Sequence, residues 1–325
     1  MLISLARPVV QSVRRARNRL LSTIDTPVIV LLYHRVATLA SDPQLLAVSP
    51  ENFRDQMSYL KDKFPMVSFE DDWSHLRSPS IAVTFDDGYA DNALNALPII
   101  EEIGVPATFF VSTGNIDTRQ EYWWDELERI ILGDRPLPKL FVLNDDRYGR
   151  RWPTDTLLER QKFYLRITLL MKKITAERRD DWLDQFRQWA GTDEKGRSAY
   201  RAMTCKELQQ LASSKYVTIG AHTVTHSCLS MLSEKQQKDE IFCSKQELEA
   251  KLGKTITVFS YPYGKKSDYN GTSVRLCREA GFSKAASNFP GMVYRWTDPL
   301  QIPRYLVRNW DRKTFINRMK VIGVR

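Results

Sequence analysis

A chain of 325 residues, 42% of them hydrophobic, can bury a sizeable core, and its ordinary glycine and proline content excludes collagen-like, low-complexity and repeat architectures. The formal charge of +9 is uneven, because Arg7, Arg14, Arg15, Arg17 and Arg19 stand in residues 1–24 without an acid. The remainder is mildly basic and mixed in sign, so no nucleic-acid partner is expected.

In chain order, residues 1–26 read as a basic N-terminal arm. Leu2, Leu5, Val9, Val13, Ala16, Leu20 and Ile24 recur at helical steps, with Pro8 confining the helix to the residues after it. A peripheral contact of residues 1–24 with anionic lipid is one reading. A loosely packed basic leader is an equal alternative. The arm lacks the uninterrupted apolar stretch of a secretory signal, and no later run reaches transmembrane length, so the expected location is the cytoplasm or the inner face of its membrane. The scattered Cys205, Cys228, Cys243 and Cys277 read as thiols in a reducing compartment.

Residues 27–325 alternate strands and helices. VIVLLYH (28–34), IAVTFDD (81–87), PATFFVS (106–112), VTIGAH (217–222) and TVFSYPYG (257–264) read as strands. A helix after Ser49-Pro50, one ending at Gly104 and one from Ser233 to Gly253 lie between them. The alternation predicts an α/β parallel sheet or barrel. Residues 121–200 break the rhythm with charged helical patterns and are expected to form a helical insertion. Trp123, Trp124, Trp152, Trp182 and Trp189 read mainly as its core. Asp125 and Glu126 read as a solvated helix face, and Asp91 as a helix cap.

The chemistry-bearing residues cluster at strand ends. His222 and His226, in HTVTH, can converge on one cation if the segment turns helically. A divalent site also needs an oxygen ligand, which Asp86 or Asp87 could supply, because the C-terminal strand ends of a barrel open onto one face. Successive side chains of an extended strand diverge. One of the two acids can therefore ligate a metal while the other accepts a proton from water made acidic by the ion. His75, in DDWSHLRS, reads as a solvated loop residue.

TFDDGY, HTVTH and FSYPYG, in that order and each at a strand end, resemble the polysaccharide deacetylase family, the NodB-homology or carbohydrate esterase family 4 fold. The resemblance runs from about Val28 to Trp310 and implies a distorted (β/α)7-8 barrel. It also implies Asp86 as catalytic base and Asp87, His222 and His226 as ligands of one divalent ion. Zinc is the expected ion, with cobalt, nickel or manganese also fitting. The YPYG turn (Tyr261, Pro262, Tyr263) would border the groove, with the Tyr263 amide holding the oxyanion. Two departures stand out. The family's arginine before Pro-Tyr is missing, leaving Arg304 as substitute or as a plain surface arginine. No histidine follows His226, so the family's C-terminal Leu-x-His acid is absent, and His34 takes its place as the candidate acid.

The resemblance implies removal of an N-acetyl group from an amino sugar of a polysaccharide or of a lipid- or nucleotide-linked precursor. A deformylase of a lipid-linked amino sugar and an inactive carbohydrate- or lipid-binding homologue are the alternatives. WWDELE resembles a feature of members acting on surface-glycan precursors, which would bring Trp123 and Trp124 to the substrate.

Overall fold

The computed structural model describes residues 21 and 24–323, except 119, 148 and 194. The helix expected within residues 1–20 lies outside the described residues.

The chain opens with β1 (Val28–Tyr33), β2 (Arg35–Val36), β3 (Ala47–Val48), α1 (Pro50–Lys63), β4 (Met66–Val67) and β5 (Ser80–Phe85). A π-helical turn leads into α2 (Leu97–Ile103), followed by β6 (Ala107–Val111), α3 (Trp123–Leu132), β7 (Leu140–Leu143) and β8 (Arg150–Pro153). Then come α4 (Leu157–Met171), α5 (Ala176–Ala190), α6 (Cys205–Ser213), β9 (Val217–Ala221) and α7 (Glu234–Leu252). The chain closes with β10 (Val258–Ser260), α8 (Gly271–Glu279), β11 (Lys284–Ala286), β12 (Tyr305–Leu306) and α9 (Arg312–Ile322). One parallel sheet has the order β11-β10-β9-β6-β5-β1-β12, with β4 also pairing β5. It curls into a distorted half-barrel flanked by helices, the α/β fold that the alternation predicts. Every expected strand is present; β2, β3, β4, β11 and β12, of two or three residues each, left no pattern long enough to read.

β1, β5 and β6 are buried along their whole length, as parallel strands covered on both faces must be. Their side chains divide by the two-residue period. Ile29, Leu31 and Tyr33 of β1, with Ile81, Val83 and Phe85 of β5, pack outward on Phe53, Met57 and Leu60 of α1 and on Ile99 and Ile100 of α2. Val28, Val30, Ala82, Phe110 and Val258 point inward and make a separate small core. Gly220 is required there, since a Cβ at that position would sit 2.5 Å from the Phe110 ring. The helix signals act as read. The Ser49 hydroxyl accepts from the Asn52 amide ahead of α1, Ser233 and Gln236 form a capping box on α7, and Gly104 and Gly253 close α2 and α7 in the left-handed region.

Residues 133–187 build a second core on α3, in which Phe141, Trp152, Phe163, Ile167, Trp182 and Phe186 meet Leu127 and Ile131. This stretch is not wholly helical. β7 and β8 pair antiparallel, and Leu140–Leu143 alternate exposed and buried, a strand pattern too short to stand out among charged neighbours. Trp152 and Trp182 are core residues, as expected.

Two expectations are corrected. Asp125 and Glu126 are not a solvated face, because α5 and the segment at Arg197 cover α3. Glu126 is 6% exposed and pairs with Arg187 at 2.8 Å and Arg129 at 3.1 Å, while Arg197 pairs with Glu121 at 2.9 Å and Glu128 at 2.7 Å. Asp91 makes no side-chain cap. Its buried carboxylate accepts from Arg35 Nε and the Val36 amide, both at 2.9 Å, and ties β2 to the loop after β5.

Asp125 accepts a 2.6 Å hydrogen bond from the Tyr89 hydroxyl, which itself accepts from the Trp124 indole. Burial raises its pKa to about 7, against the partial opposition of Arg35. An unfolded aspartate loses its proton near pH ~4. The folded state therefore holds the extra proton between about pH 4 and about pH 7, and stability falls as pH rises through that window. Asp125→Asn keeps an oxygen for Tyr89 and removes the titration. The melting temperature of the natural protein relative to this variant is expected to drop as pH rises from about 4 to about 7; parallel profiles would show that Asp125 titrates like a free carboxyl.

Candidate active site

Inward-facing positions carry the polar residues at the C-terminal strand ends. Continuing the phase of Val28 and Val30 beyond β1 reaches His34; Ala82 and Thr84 lead to Asp86, Gly220 to His222, and Val258 to Ser260. The chain turns sharply after Asp86, with Asp87 at φ 77°, so the two adjacent carboxylates diverge. Together they floor a cavity of about 320 Å³ lined by His34, Asp86, Asp87, His222, His226 and Tyr263, among others.

Asp87, His222 and His226 converge, with one potential ligand atom from each within 4.8 Å of the others. Asp87 Oδ1 is 3.2 Å from His226 Nε2 and 3.5 Å from His222 Nε2. His222 Nδ1 lies 2.7 Å from the Ser260 carbonyl. That carbonyl can only accept, so Nδ1 carries the hydrogen and the Nε2 lone pair is left free to ligate. Burial would raise the Asp87 carboxyl, but the adjoining His222 and His226 imidazoles hold it far below the usual range. Burial lowers His226 to about 4, favouring its neutral, ligating form. Burial works to lower the His222 pKa, but Asp86 and Asp87 outweigh it and raise it. In their neutral forms the two imidazoles, with the Asp87 carboxylate, fit a divalent transition-metal ion.

Asp86 has a different partner. Arg304, just before β12, is 1% exposed, which excludes the surface reading. Its Nη1 and Nη2 donate to the two Asp86 carboxylate oxygens at 2.7 and 2.6 Å. Nε donates to the Ser287 carbonyl at 2.8 Å, and Nη2 also to the Ser260 hydroxyl at 2.9 Å. Burial works to raise the Asp86 pKa, but Arg304 and His222 outweigh it and keep the group ionised.

His34 faces the same cavity, and its buried Nδ1 has no hydrogen-bond partner among the described residues. Burial lowers its pKa, with Asp87 and Asp86 opposing. Tyr263 lines the cavity and stacks edge-on to His226 at 4.7 Å. Tyr261 does not reach the site. It follows Ser260 and therefore points outward, where it stacks on Tyr269 at 4.1 Å and donates to the Leu300 carbonyl at 3.0 Å. Pro262 lines none of the cavity either. Trp123 and Trp124 do line it, Trp124 lying 4.7 Å from His226, so these two are more than insertion core. His75 is 89% exposed and remote.

Two further residues, unmarked in the sequence, shape the surroundings. The HTVTH loop holds Thr223 at φ 64° and His226 at φ 53°, left-handed conformations that side-chain-bearing residues adopt only under constraint. Glu240 of α7 grips one side, accepting from the Val224 and Thr225 amides at 2.8 and 2.9 Å. Arg179 of α5, 3% exposed, grips the other, donating to the Thr225 carbonyl at 2.8 Å, the His226 carbonyl at 3.3 Å and the Ser227 hydroxyl at 3.3 Å. Both sit in charged helical runs indistinguishable from a solvated face, so no local signal marked them.

A family model described as polysaccharide deacetylase matches residues 73–132 and 188–285. The chain belongs to the polysaccharide deacetylase family. YxkH of Bacillus subtilis (strain 168), provisionally named a polysaccharide deacetylase, is 19% identical over 273 residues; these are 82% of this chain but only 66% of that relative's length. IcaB from Ammonifex degensii superposes with a TM-score of 0.60 at 17% identity, over 92% of this chain and 98% of its own. The Streptococcus pyogenes deacetylase PplD, solved in complex with acetate, gives a TM-score of 0.58 at 16% identity, over 91% and 99%. These likenesses establish the fold. His34, Arg179 and Arg304 all fall outside the segments that the family model matches.

Arg179→Ala should release the 222–227 loop. Amide exchange at Val224–His226 is expected to accelerate, and affinity for added Zn2+, measured by chelator competition, to fall by about 10–100-fold, the usual effect of losing a group that orients a ligand. Unchanged exchange and affinity would show that Glu240 alone sets the loop.

Proposed function

We propose that the chain is a metal-dependent hydrolase that removes an N-acetyl group from an amino sugar of a glycan or glycan precursor. The observation that carries this reading is the division of the acid pair: Asp87 stands against His222 and His226, and Asp86 stands beside them as a separate carboxylate held by Arg304. A divalent ion at Asp87, His222 and His226 would supply Lewis acidity, polarising the acyl carbonyl and acidifying water. Zinc is the proposed ion.

Asp86 takes the proton of the attacking water. Arg304 fixes the carboxylate's orientation and keeps it ionised, which a base must be at the start of the step. The Tyr263 amide is the proposed donor to the developing oxyanion. The nitrogen of the sugar is a poor leaving group without a proton, and His34 is the proposed donor, an imidazole open to the cavity. Acetate and a free amino sugar leave. Trp123 and Trp124, which line the cavity, are the proposed contacts to a carbohydrate ring.

The reading is tested by incubating the chain, with and without zinc, with a panel of N-acylated free, nucleotide-linked and lipid-linked amino sugars and following acyl loss by mass spectrometry. Acetyl loss that requires zinc supports it, formyl loss would make the chain a deformylase, and no zinc binding at all would overturn it. Asp86→Asn should abolish turnover yet leave zinc affinity within a few-fold, whereas Asp87→Asn should lose zinc; the opposite pattern would mean that the two roles are exchanged. His34→Ala is expected to lower kcat by about 10²–10⁴, the usual worth of a positioned acid, with zinc content intact. Natural turnover in that variant would remove His34 from the mechanism.

A further inference from the structure

Helix α4 is apolar on two faces. Phe163, Tyr164, Ile167 and Met171 are buried in the second core. On the opposite side Leu158, Leu165 and Leu169 are 59%, 61% and 63% exposed. Their spacing of seven and four residues puts them in one stripe. Leu45, 61% exposed, lies near the end of the stripe, because its neighbours Gln44 and Leu46 line the same cavity as Leu169 and Lys172. Isolated exposed leucines are ordinary; a stripe of them along one helix is not.

The charges beside the stripe have one sign. At 100° per residue, Lys162 and Arg166 flank it on one side, and Lys172 and Lys173 follow directly after the helix. The side chains of Lys162, Arg166 and Lys173 have no hydrogen-bonding or ion-pair partner among the described residues, and Lys172 pairs with Asp268 at 2.7 Å. Glu159, the acid of this helix, is engaged in the capping box with Thr156. Leucines flanked by long cationic side chains suit the boundary between headgroups and acyl chains, where the apolar groups insert and the charges reach back to anionic lipid. The stripe also ends at the cavity, since Thr168, Leu169 and Lys172 line it together with Gln44 and Leu46.

We propose that the exposed face of α4, with Leu45, docks the protein on an anionic lipid bilayer and turns the mouth of the cavity toward that surface. Resting on the reading of the cavity as a deacylase site, this orientation suits an amino sugar carried on a lipid, whose head enters past Leu169 and Lys172.

The test is flotation of the full chain with vesicles of phosphatidylcholine and phosphatidylglycerol in equal parts, against phosphatidylcholine alone. Lys162→Gln with Arg166→Gln should weaken binding about 25-fold, at about fivefold per cation near the surface. Leu165→Gln with Leu169→Gln should weaken it tenfold or more, with melting unchanged because both side chains are exposed. In Leu165→Trp the added indole should be quenched by brominated lipid. Binding that survives both double variants and disappears only on deletion of residues 1–20 would overturn the proposal. So would an unquenched indole, or a dimer in light scattering that Leu165→Gln with Leu169→Gln abolishes while no vesicle is bound. Vesicle binding is read without turnover, so a failed sugar panel leaves it standing, and failed binding leaves the catalytic reading standing.

Discussion

The bidentate contact between Arg304 and Asp86 is the interaction around which the site is arranged. Two adjacent buried carboxylates would repel each other and neither could stay ionised unaided, since burial alone pushes both pKa values up. Each is supplied with its own partner on its own side. Asp86 keeps the inward phase of β5 and meets a guanidinium from the far end of the chain; Asp87 leaves that phase through a left-handed turn and meets the two imidazoles. Removing Arg304 would leave a buried carboxylate uncompensated, a loss of about 3–5 kcal/mol. The pair is also a latch on the fold, because Arg304 binds β5 at Thr84 and Asp86, β10 at Ser260 and the chain after β11 at Ser287. Closing the inner face and holding the acid ionised are one act.

The loop carrying His226 obeys a related constraint. Two non-glycine residues with positive φ will not persist unless their surroundings over-determine them. Glu240 consumes the amides of Val224 and Thr225 and Arg179 the carbonyls of Thr225 and His226, so the left-handed turns cannot relax without stranding a buried charge. Arg179 is anchored in turn by the core of α3, α4 and α5. Trp124, from α3, packs directly on His226. The segment between β6 and β9 is thus continuous with the site in packing and in polar contacts, which accounts for how closely its buried glutamates and arginines are matched.

The parallel sheet, the strand ends and the convergence of Asp86, Asp87, His222 and His226 were legible because each rests on local pattern: continuous apolar runs, a turn and a spacing. Arg304 was legible only as a candidate, since a lone arginine in IPRYLV carries no mark of where it points. Tyr261 belongs to the YPYG motif but not to the cavity, because the two-residue period puts it on the face opposite Ser260. Asp125, Glu126 and Asp91 depart from the sequence expectation for one reason. A charged helical run looks solvated until the elements covering it are known, and those elements lie dozens of residues away. Arg179 and Glu240 are the extreme case, since their roles exist only across the folded interface.

Floor and rim of the cavity therefore differ in kind. Strand ends build the floor, where geometry follows from β-sheet phase and from buried charge that must be compensated. The rim comes from Gln44 and Leu46 after β2, from Thr168, Leu169 and Lys172 at the end of α4, and from Lys265 and Arg308. Its cations offset the acids below. Arg308 donates to the Gln44 carbonyl at 2.9 Å and to that of Leu45, so the segment bearing one exposed leucine is fastened to the chain leaving β12. Any group that reaches the floor must pass a rim that is basic and, on the α4 side, apolar. On the proposed deacylase reading and the proposed docking of α4, that combination suits an amino sugar entering with an anionic, lipid-bearing tail left outside.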